Sequence, residues 1–469
     1  MNLTLLTDLY ELTMLTGYFE LGKTKDKATF DLFFRKMPFQ GGYCITAGLE
    51  EVINYIQNLY FAEEDIEYLR SLKIFSENFL DYLKDFHFSG DLYAIPEGNL
   101  VFPTEPLIRV TAPLPEAQYL ETTCLNLIGY PTLVATKANR LYLAARGREV
   151  IEFGARRAQG PNGALSGARA AIIGGCTSTS NVLAGKKYGI PVRGTMAHSW
   201  VQSFDSELDS FEGYARAFPE TTLLLVDTYE TIEGVKNAIK VGLELKKQGL
   251  PFLGIRLDSG DLTKLSIEAK RLLDEAGLPE AKIVASSELD EWIVRDVISQ
   301  GAKVDIFGVG THLITSQDAP SLGVVYKLVA IEKEKKVLPK IKISSTAEKM
   351  TNPGIKKIIR VIGENGKFSG DFLALDEEMI DLPAETFDQL HPGEIKRVLS
   401  GHFREVLQPI FLGGKLVYQS PSLFQIREKA LGEVDLLEDE YKRLLNPEYY
   451  WVGLSKQLSE LKQKLISEH

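Results

Sequence analysis

Cysteine is scarce in this chain, which has only three cysteines among its 469 residues. Cys44, Cys124 and Cys176 show no CxxC spacing and cannot all pair with one another. Neither a disulfide framework nor a zinc site of closely spaced cysteines fits this pattern. Such usage is typical of a reducing compartment, so we expect a cytoplasmic protein.

Long apolar runs and an excess of basic charge are also missing. No apolar run reaches the roughly 18–20 residues that a membrane helix requires, and the N-terminus lacks the basic start and cleavage site of a secretory leader. The 53 basic and 64 acidic residues give a net charge of −11, which argues against non-specific nucleic-acid binding and against docking on an anionic membrane. We therefore expect neither nucleic acid nor a membrane as a partner.

Repeats of solenoid type and low-complexity tracts are absent, and the composition is that of an ordinary globular protein. What the central part of the chain has instead is an alternation of short β-branched runs with amphipathic helical segments. Strands are predicted over 148–153, 190–195, 221–227, 251–258, 281–287, 304–310 and 323–330. The strict order of strand then helix predicts parallel strands joined by crossover helices. Polar or glycine-rich residues follow nearly every strand, which favours a barrel over an open doubly wound sheet.

The flanking segments show a different pattern. Residues 1–125 mix helical stretches with strands and proline-punctuated segments, which predicts an α+β domain. After residue 340 the pattern changes to hairpin-like strands with turn residues in GENGKFSG, and a charged amphipathic helix is predicted over 435–469. We expect three domains, namely 1–125, a barrel with the active site over 126–340, and a C-terminal extension over 341–469.

Residues with the chemistry to bind anions or metal ions stand at the ends of the predicted strands. They are Phe153, Arg156, Arg157, Thr195, His198, Ser199, Asp227, Arg256, Asp258, Asp261 and the turn 308–311. Each signal alone is weak, because a lone histidine is usually structural and an aspartate at a strand end is often a helix N-cap. Their coincidence at the same end of successive parallel strands predicts a site at one mouth of the barrel.

The chemistry of these residues suits a phosphorylated sugar. Backbone N–H groups of a Gly-x-Gly-Thr turn can hold a phosphate, and arginines present planar charged groups to diphosphate or carboxylate. Aspartates suit ribose hydroxyls and Mg²⁺. Tyr10 and Phe153 are candidates to enclose a flat aromatic ring, and His198 is a candidate nucleophile for a phosphoryl group.

Six motifs follow one another along the chain: TDLYELTM, EFGARRAQGP, STSN, GTMAHSW, IRLDSGDL and FGVGTHL. In this order and spacing, from Asp8 to the KMTNPGIKK segment near residue 355, they resemble the nicotinate phosphoribosyltransferase family. The resemblance implies an α/β type II phosphoribosyltransferase fold, with an N-terminal α+β sandwich, an incomplete parallel α/β barrel and a C-terminal extension.

The same resemblance implies the activity and its partners. The family transfers 5-phosphoribose from phosphoribosyl pyrophosphate to nicotinate, giving nicotinate mononucleotide and pyrophosphate, as the first step of NAD biosynthesis from nicotinate. It couples this transfer to hydrolysis of ATP, a co-substrate, through a phosphohistidine, and is therefore classified with the ligases. Mg²⁺ is the implied cofactor. A homodimer is implied as well, and Tyr10 is a candidate to reach the neighbour's site.

The resemblance also assigns roles to individual residues. Nicotinate would be bound by Tyr10, Phe153, Ser178, Thr195 and Arg256. Phosphoribosyl pyrophosphate would be bound by Arg156, Gly310 and Thr311, although the neighbouring Arg157 is an open alternative to Arg156. His198, the implied phosphohistidine, is grouped as catalytic with Asp227 and Asp258, and these two aspartates would serve the ribose hydroxyls and Mg²⁺.

Nicotinamide phosphoribosyltransferase is the alternative, and Ser178 is the residue that argues against it. A nicotinamide site is expected to hold an acidic residue there, whereas a carboxylate would repel the carboxylate of nicotinate at low dielectric. An enzyme of quinolinate would need a denser basic site and is normally a much shorter chain. A non-catalytic metabolite-binding protein on the same scaffold would have lost His198 or Asp258, and both are present.

Overall fold

The computed structural model describes residues 2–346, 349–389 and 395–468. The chain divides into two compact units. One unit, called the terminal unit here, comprises Met1–Leu133 and Ser321–His469, and the other, the central unit, comprises Val134–Pro320. The division into three domains by sequence pattern stays a prediction.

Strands are spread over both units. In chain order they are β1 (Lys27–Phe34), β2 (Cys44–Ile45), β3 (Asp91–Ala94), β4 (Leu100–Val101), β5 (Ile108–Pro113), β6 (Glu149–Glu152), β7 (Ser178–Thr179), β8 (Leu223–Leu225), β9 (Gly254–Leu257), β10 (Lys282–Ala285), β11 (Ile306–Val309), β12 (Val324–Lys333), β13 (Lys336–Pro339), β14 (Lys356–Ile362), β15 (Phe368–Leu375), β16 (Ala384–Phe387), β17 (Lys396–Leu399), β18 (His402–Glu405), β19 (Gln408–Leu412), β20 (Lys415–Leu416) and β21 (Val452–Leu454).

The α-helices, again in chain order, are α1 (Leu9–Glu20), α2 (Leu49–Gln57), α3 (Glu63–Ser71), α4 (Glu77–Lys84), α5 (Leu114–Tyr119), α6 (Glu121–Ala145), α7 (Gly160–Gly174), α8 (Val182–Tyr188), α9 (His198–Gln202), α10 (Glu207–Ala217), α11 (Thr231–Lys247), α12 (Leu262–Glu275), α13 (Glu291–Ser299), α14 (Thr311–Ile314), α15 (Leu423–Asp435) and α16 (Lys456–Ser467). Among the described residues, none of these helices is both long enough and apolar enough to cross a membrane.

The central unit is built on a six-stranded sheet in the order β7-β6-β11-β10-β9-β8, and every neighbouring pair is parallel. The prediction of parallel strands joined by helices is therefore confirmed. The first long strand of the unit, β6, pairs with its last strand, β11, as strands do in a barrel. An isolated parallel bridge joins Thr179 to Val192 beyond β7. In the described part of the unit the ring of strands is open between Val192 and β8, which is the order of an incomplete barrel.

The core of the central unit lies where these strands meet their helices. Ile255, Ile283 and Phe307, from the middle of three neighbouring strands, are completely buried. Helices α11 and α12 turn their apolar faces towards this sheet, as the spacing of their apolar residues predicts.

Two strands predicted for the barrel have other roles. The segment 190–195 contributes only the bridge at Val192, because Pro191 has no N–H to donate and the side chains from 191 to 194 are exposed. The strand predicted over 323–330 is β12, which pairs antiparallel with β1 in the terminal unit. Its β-branched residues indicate a strand but carry no information about its partner.

The terminal unit contains two larger sheets. The first has the order β13-β12-β1-β5-β3-β19-β20, and the second has the order β17-β16-β21-β15-β14-β18. The hairpin predicted around GENGKFSG is confirmed by the antiparallel pairing of β14 with β15. The single helix predicted over 435–469 is wrong in its first part, which holds a short 3₁₀ helix (Asp439–Lys442) and β21, paired with β15. The second part is α16. Residue 469 lies outside the described residues.

Gly254 provides a test of the barrel pairing. It starts β9 with φ of 140°, a backbone conformation that favours glycine, and a Cβ there would overlap the carbonyl oxygen of Lys282 on β10. We expect Gly254→Ala to cost about 3 kcal/mol and to lower the melting temperature by roughly 6–12 °C. Gly432→Ala is the control, because Gly432 lies in α15 with open space around it. Equal melting temperatures for the two variants would contradict this account.

Candidate functional site

The predicted site residues of the central unit stand directly after its parallel strands. Phe153 follows β6, Asp258 follows β9 and Gly310 follows β11. Because parallel strands end at the same edge of a sheet, these positions share one mouth. Five of the predicted residues are joined there by direct contacts, namely Phe153, Thr195, His198, Arg256 and Asp258. Asp227 joins them through the backbone of Asp258.

Arg256, on β9, is the most connected side chain of this group. Its Nη1 donates to the Thr195 hydroxyl at 3.1 Å and its Nη2 donates to Asp258 Oδ1 at 2.8 Å. The third bond runs from Nε to the hydroxyl of Ser286 at 2.7 Å. The guanidinium is thus held in one plane by three partners on three different segments, as a fork of fixed geometry allows.

Phe153 lies beside this guanidinium, with 5.7 Å between the Arg256 Cζ and the ring centroid. That distance is within the range of a cation–π contact. The ring also packs on Gly308 of β11, where a Cβ would lie 2.5 Å from a ring carbon. The glycine of the Gly-x-Gly-Thr turn therefore makes room for the aromatic ring.

Asp227 follows β8 and is nearly buried. Its Oδ2 accepts hydrogen bonds from the backbone N–H of Asp258 and from the hydroxyl of Ser259, both at 2.7 Å. Its Oδ1 is buried and has no hydrogen-bond partner among the described residues. A buried carboxylate oxygen without a partner is unusual and is available to a ligand.

Asp258 divides its two oxygens between neighbours. Oδ1 accepts from Arg256 and Ser286, while Oδ2 lies 3.7 Å from Nε2 of His198. Burial by itself would raise the pKa of Asp258, but the hydrogen bonds from Ser286 and Arg256 and the charge of Arg256 bring it below the ordinary value. The aspartate is therefore an anion at neutral pH.

His198 has both ring nitrogens near polar groups. Nδ1 lies 3.1 Å from the hydroxyl of Thr228, and the ring is 41% exposed, so a ligand can reach it. His198 is the first residue of α9, whose N-cap is Ala197 without any side-chain cap. His198 is therefore not the N-cap of this helix.

Ser178 lies on β7 with its Oγ buried and without a hydrogen-bond partner among the described residues. Beside it, the carboxyl of Glu152 is completely buried and accepts hydrogen bonds from the Thr179 hydroxyl and the Gly154 N–H. Burial raises the pKa of Glu152, and these two hydrogen bonds oppose the shift. Glu152 fastens the end of β7 to the turn that carries Phe153.

The remaining predicted residues make no hydrogen bond or ion pair with the side chains of this group among the described residues. Arg156 and Arg157 are exposed in a short 3₁₀ helix (Ala155–Arg157) after β6. The Thr311 hydroxyl donates to Glu288 at 3.4 Å, and Gly310 precedes it. Tyr10 is 44% exposed on α1 of the terminal unit. The ligand roles of all these residues stay predictions.

Sequence reasoning missed three hydroxyl residues that contact this group. Thr228 and Ser259 follow β8 and β9, and Ser286 follows β10. Their position just after a strand was the signal that could have identified them as site residues. Ser286 did not show this signal, because the predicted strand over 281–287 included it. The described residues contain no cluster of three or more His, Cys, Asp or Glu side chains that could hold a metal ion.

The chain matches known proteins over nearly its whole length. Family models of the nicotinate phosphoribosyltransferase (NAPRTase) N-terminal domain, family and C-terminal domain match residues 5–129, 149–360 and 355–462. The chain belongs to the nicotinate phosphoribosyltransferase family. The nicotinate phosphoribosyltransferase of Bacillus subtilis is 45% identical over 471 residues, which cover 100% of this chain and 96% of the relative.

Solved structures place the fold in the same family. The crystal structure of human nicotinic acid phosphoribosyltransferase is 32% identical, with a TM-score of 0.86, and the match covers 98% of this chain and 99% of that chain. A nicotinate-nucleotide pyrophosphorylase from Pyrococcus furiosus, 24% identical with a TM-score of 0.70 over 92% of this chain and 94% of that chain, shares the fold. The predicted type II phosphoribosyltransferase fold is confirmed.

Glu152 gives this site a pH-dependent stability that can be measured. Because its pKa is raised on folding, the folded chain binds this proton more tightly than the unfolded chain, and stability is lost as the pH rises above the unfolded value. Glu152→Gln loses one hydrogen bond at every pH but cannot ionise. We expect the melting temperature of the variant, relative to the unsubstituted protein, to rise by a few degrees between pH 5 and pH 8.

Glu149→Gln is the control for this measurement, since Glu149 lies on the same strand with its side chain 25% exposed. Its relative melting temperature should change less over the same range. If the difference in melting temperature between Glu152→Gln and the unsubstituted protein did not change with pH, ionisation of the buried carboxyl would not destabilise the fold.

Proposed function

We propose that this chain is a nicotinate phosphoribosyltransferase that acts on nicotinate and phosphoribosyl pyrophosphate and couples the transfer to ATP hydrolysis. Its products would be nicotinate mononucleotide and pyrophosphate, at the entry to NAD biosynthesis from nicotinate. Membership of the family supports this assignment. The observation within the site that carries it is the Arg256 guanidinium, held in plane beside the Phe153 ring.

That arrangement suits a flat aromatic acid. Three of the five N–H groups of Arg256 are used by Ser286, Thr195 and Asp258, and the other two make no hydrogen bond within the described residues. They are available to a carboxylate, which guanidinium groups bind with charge-assisted hydrogen bonds. Phe153 offers one face for a pyridine ring, and Tyr10 is the proposed second face.

The transfer itself needs positioning more than proton movement. The pyridine nitrogen attacks C1′ of the ribose, a C–N bond forms, and the C–O bond to pyrophosphate breaks with the electron pair leaving on pyrophosphate. Arg156 and the Gly310–Thr311 turn are proposed to hold the diphosphate and the 5-phosphate. Asp227 and Asp258 are proposed to orient the ribose hydroxyls, which fixes C1′ opposite the ring nitrogen.

The two aspartates also fit the implied Mg²⁺. Among the residues that the structure describes, Asp227 Oδ1 is buried without a hydrogen-bond partner, and Asp258 Oδ2 lies 3.7 Å from Nε2 of His198. Mg²⁺ commonly binds one or two carboxylates and completes its shell with water and substrate phosphates, so a pair of aspartates is sufficient. When bound there, Mg²⁺ would neutralise charge on the diphosphate.

ATP would act through His198. A ring nitrogen attacks the γ-phosphorus, ADP leaves, and water later hydrolyses the phosphoramidate to inorganic phosphate. Transfer to the pyridine nitrogen consumes no ATP, so the phosphoryl group must act on binding or on the equilibrium. It would add about two negative charges next to Asp258 and the diphosphate, where it could order the loop around His198.

Two further properties belong to the proposal. A homodimer with Tyr10 supplied across the interface follows from the family resemblance, and a cytoplasmic location follows from the scarcity and spacing of the cysteines. Nicotinamide is the less favoured substrate, because the buried Ser178 hydroxyl has no hydrogen-bond partner in the described part of the chain and can donate to a carboxylate. An acidic residue would be expected there for an amide.

Ser178→Asp tests the substrate preference. A buried anion next to the substrate carboxylate should lower kcat/KM for nicotinate by about 100-fold and raise the relative use of nicotinamide. Steady-state release of pyrophosphate with the two substrates measures the ratio. Ser299→Asp, an exposed position at the end of α13, is the control with the same added charge. An unchanged ratio in Ser178→Asp would show that Ser178 does not face the pyridine ring.

His198→Asn tests the coupling to ATP. Asparagine keeps a polar edge but cannot form a stable phosphoramidate, so the variant should lose ATPase activity and ATP stimulation and keep slow formation of nicotinate mononucleotide. After incubation with γ-labelled ATP, unsubstituted protein should carry acid-labile, base-stable label and the variant none. His87→Asn, an exposed histidine of the terminal unit, is the control. Full ATP stimulation or equal labelling in His198→Asn would rule out this role.

A further inference from the structure

Ser286 contacts two charged side chains of the site, Arg256 on β9 and Asp258 directly after β9. It follows β10, is buried, and continues the strand pairing through a hydrogen bond from its N–H to the carbonyl of Leu257 at 2.9 Å. This pairing fixes its backbone next to Arg256 and Asp258. The Ser286 side chain is therefore held inside the site and is not exposed to solvent.

The Ser286 hydroxyl uses its hydrogen-bonding capacity on these two groups. Its oxygen accepts the Nε–H of Arg256 at 2.7 Å, and its proton goes to Asp258 Oδ1. A serine hydroxyl donates once and accepts twice, so one side chain can hold a cation and an anion simultaneously. The carbonyl of Leu257 lies further away, at 3.4 Å from the same oxygen.

The contact at Nε matters because of where Nε is in the guanidinium. Thr195 and Asp258 each accept from one terminal nitrogen, at the outer end of the guanidinium. A third bond at Nε, on the inner corner of the plane, further restricts rotation about the last side-chain bonds. The two N–H groups of Arg256 that have no partner within the described residues then point in a fixed direction.

The turn that carries Ser286 is itself fixed. The next residue, Ser287, has φ of 115°, a conformation that L residues rarely adopt, and its carbonyl accepts from the N–H of Leu289 at 2.9 Å. Such strain persists only where the surrounding structure imposes the conformation, and it is concentrated at functional sites.

We propose that Ser286 is a positioning residue that orients the Arg256 guanidinium for the carboxylate of the substrate. This inference rests on the proposed function, since it takes nicotinate as the acid. Ser286 would then affect the affinity for nicotinate by orienting Arg256, and it would not itself contact the substrate.

Ser286→Ala removes the hydroxyl and leaves the strand pairing intact. We expect KM for nicotinate to rise about ten-fold, the size of one lost hydrogen bond to a charged group, with kcat within about two-fold. Ser266→Ala is the matched control, because Ser266 is buried in α12 and its hydroxyl donates to Thr263 and accepts from Lys303 N–H. It should have comparable melting behaviour and unchanged kinetics.

A double-variant cycle with Arg256→Lys tests whether Ser286 acts through Arg256. Lysine has no Nε–H in that position, so adding Ser286→Ala to Arg256→Lys should change KM by less than about two-fold. Independent, multiplying effects would overturn the inference, as would a Ser286→Ala variant with unchanged KM or with its loss confined to kcat. If the unsubstituted protein makes no nicotinate mononucleotide, the proposed function fails, and the role of Ser286 fails with it. If the unsubstituted protein is active but its KM does not change in Ser286→Ala, only the role of Ser286 fails.

Discussion

The pairing of β6 with β11 is the constraint on which the site depends. These strands are separated by more than 150 residues of chain, yet Ile306–Val309 pair in parallel with Glu149–Glu152. This pairing sets Phe153 against Gly308 and so brings the aromatic ring to the strand that precedes the Gly-x-Gly-Thr turn. Without it β7 and β6 would be separated from β11, β10, β9 and β8, and Phe153 would not meet Gly308.

On this frame the Arg256 guanidinium organises the polar side chains. It carries one positive charge, and among its three hydrogen-bond partners only Asp258 is an anion, while Thr195 and Ser286 are neutral. The cation is thus held without being surrounded by carboxylates, and it keeps attraction for an incoming anion. Planarity, five donors and a permanent charge are properties that lysine does not share.

The site also keeps buried polar atoms without partners within the described residues. Asp227 Oδ1 and Ser178 Oγ are both in this state. Such atoms cost stability in a folded protein, and they are most simply understood as places reserved for ligand atoms. The buried and hydrogen-bonded Glu152 holds the ends of β6 and β7 together.

Local sequence determined the parallel strand-and-helix pattern and the hairpin of β14 and β15. It also indicated most residues of the site, because polar residues after a β-branched run mark the end of a strand. Tertiary structure alone decided the partners. The β-branched run of β12 reads like a barrel strand but pairs with β1, and residues near 450 form β21 where charge and spacing suggested helix. Ser286 looked like the end of a strand, because a hydroxyl's role depends on the charged groups that folding places around it, and those lie some 30 residues away in sequence.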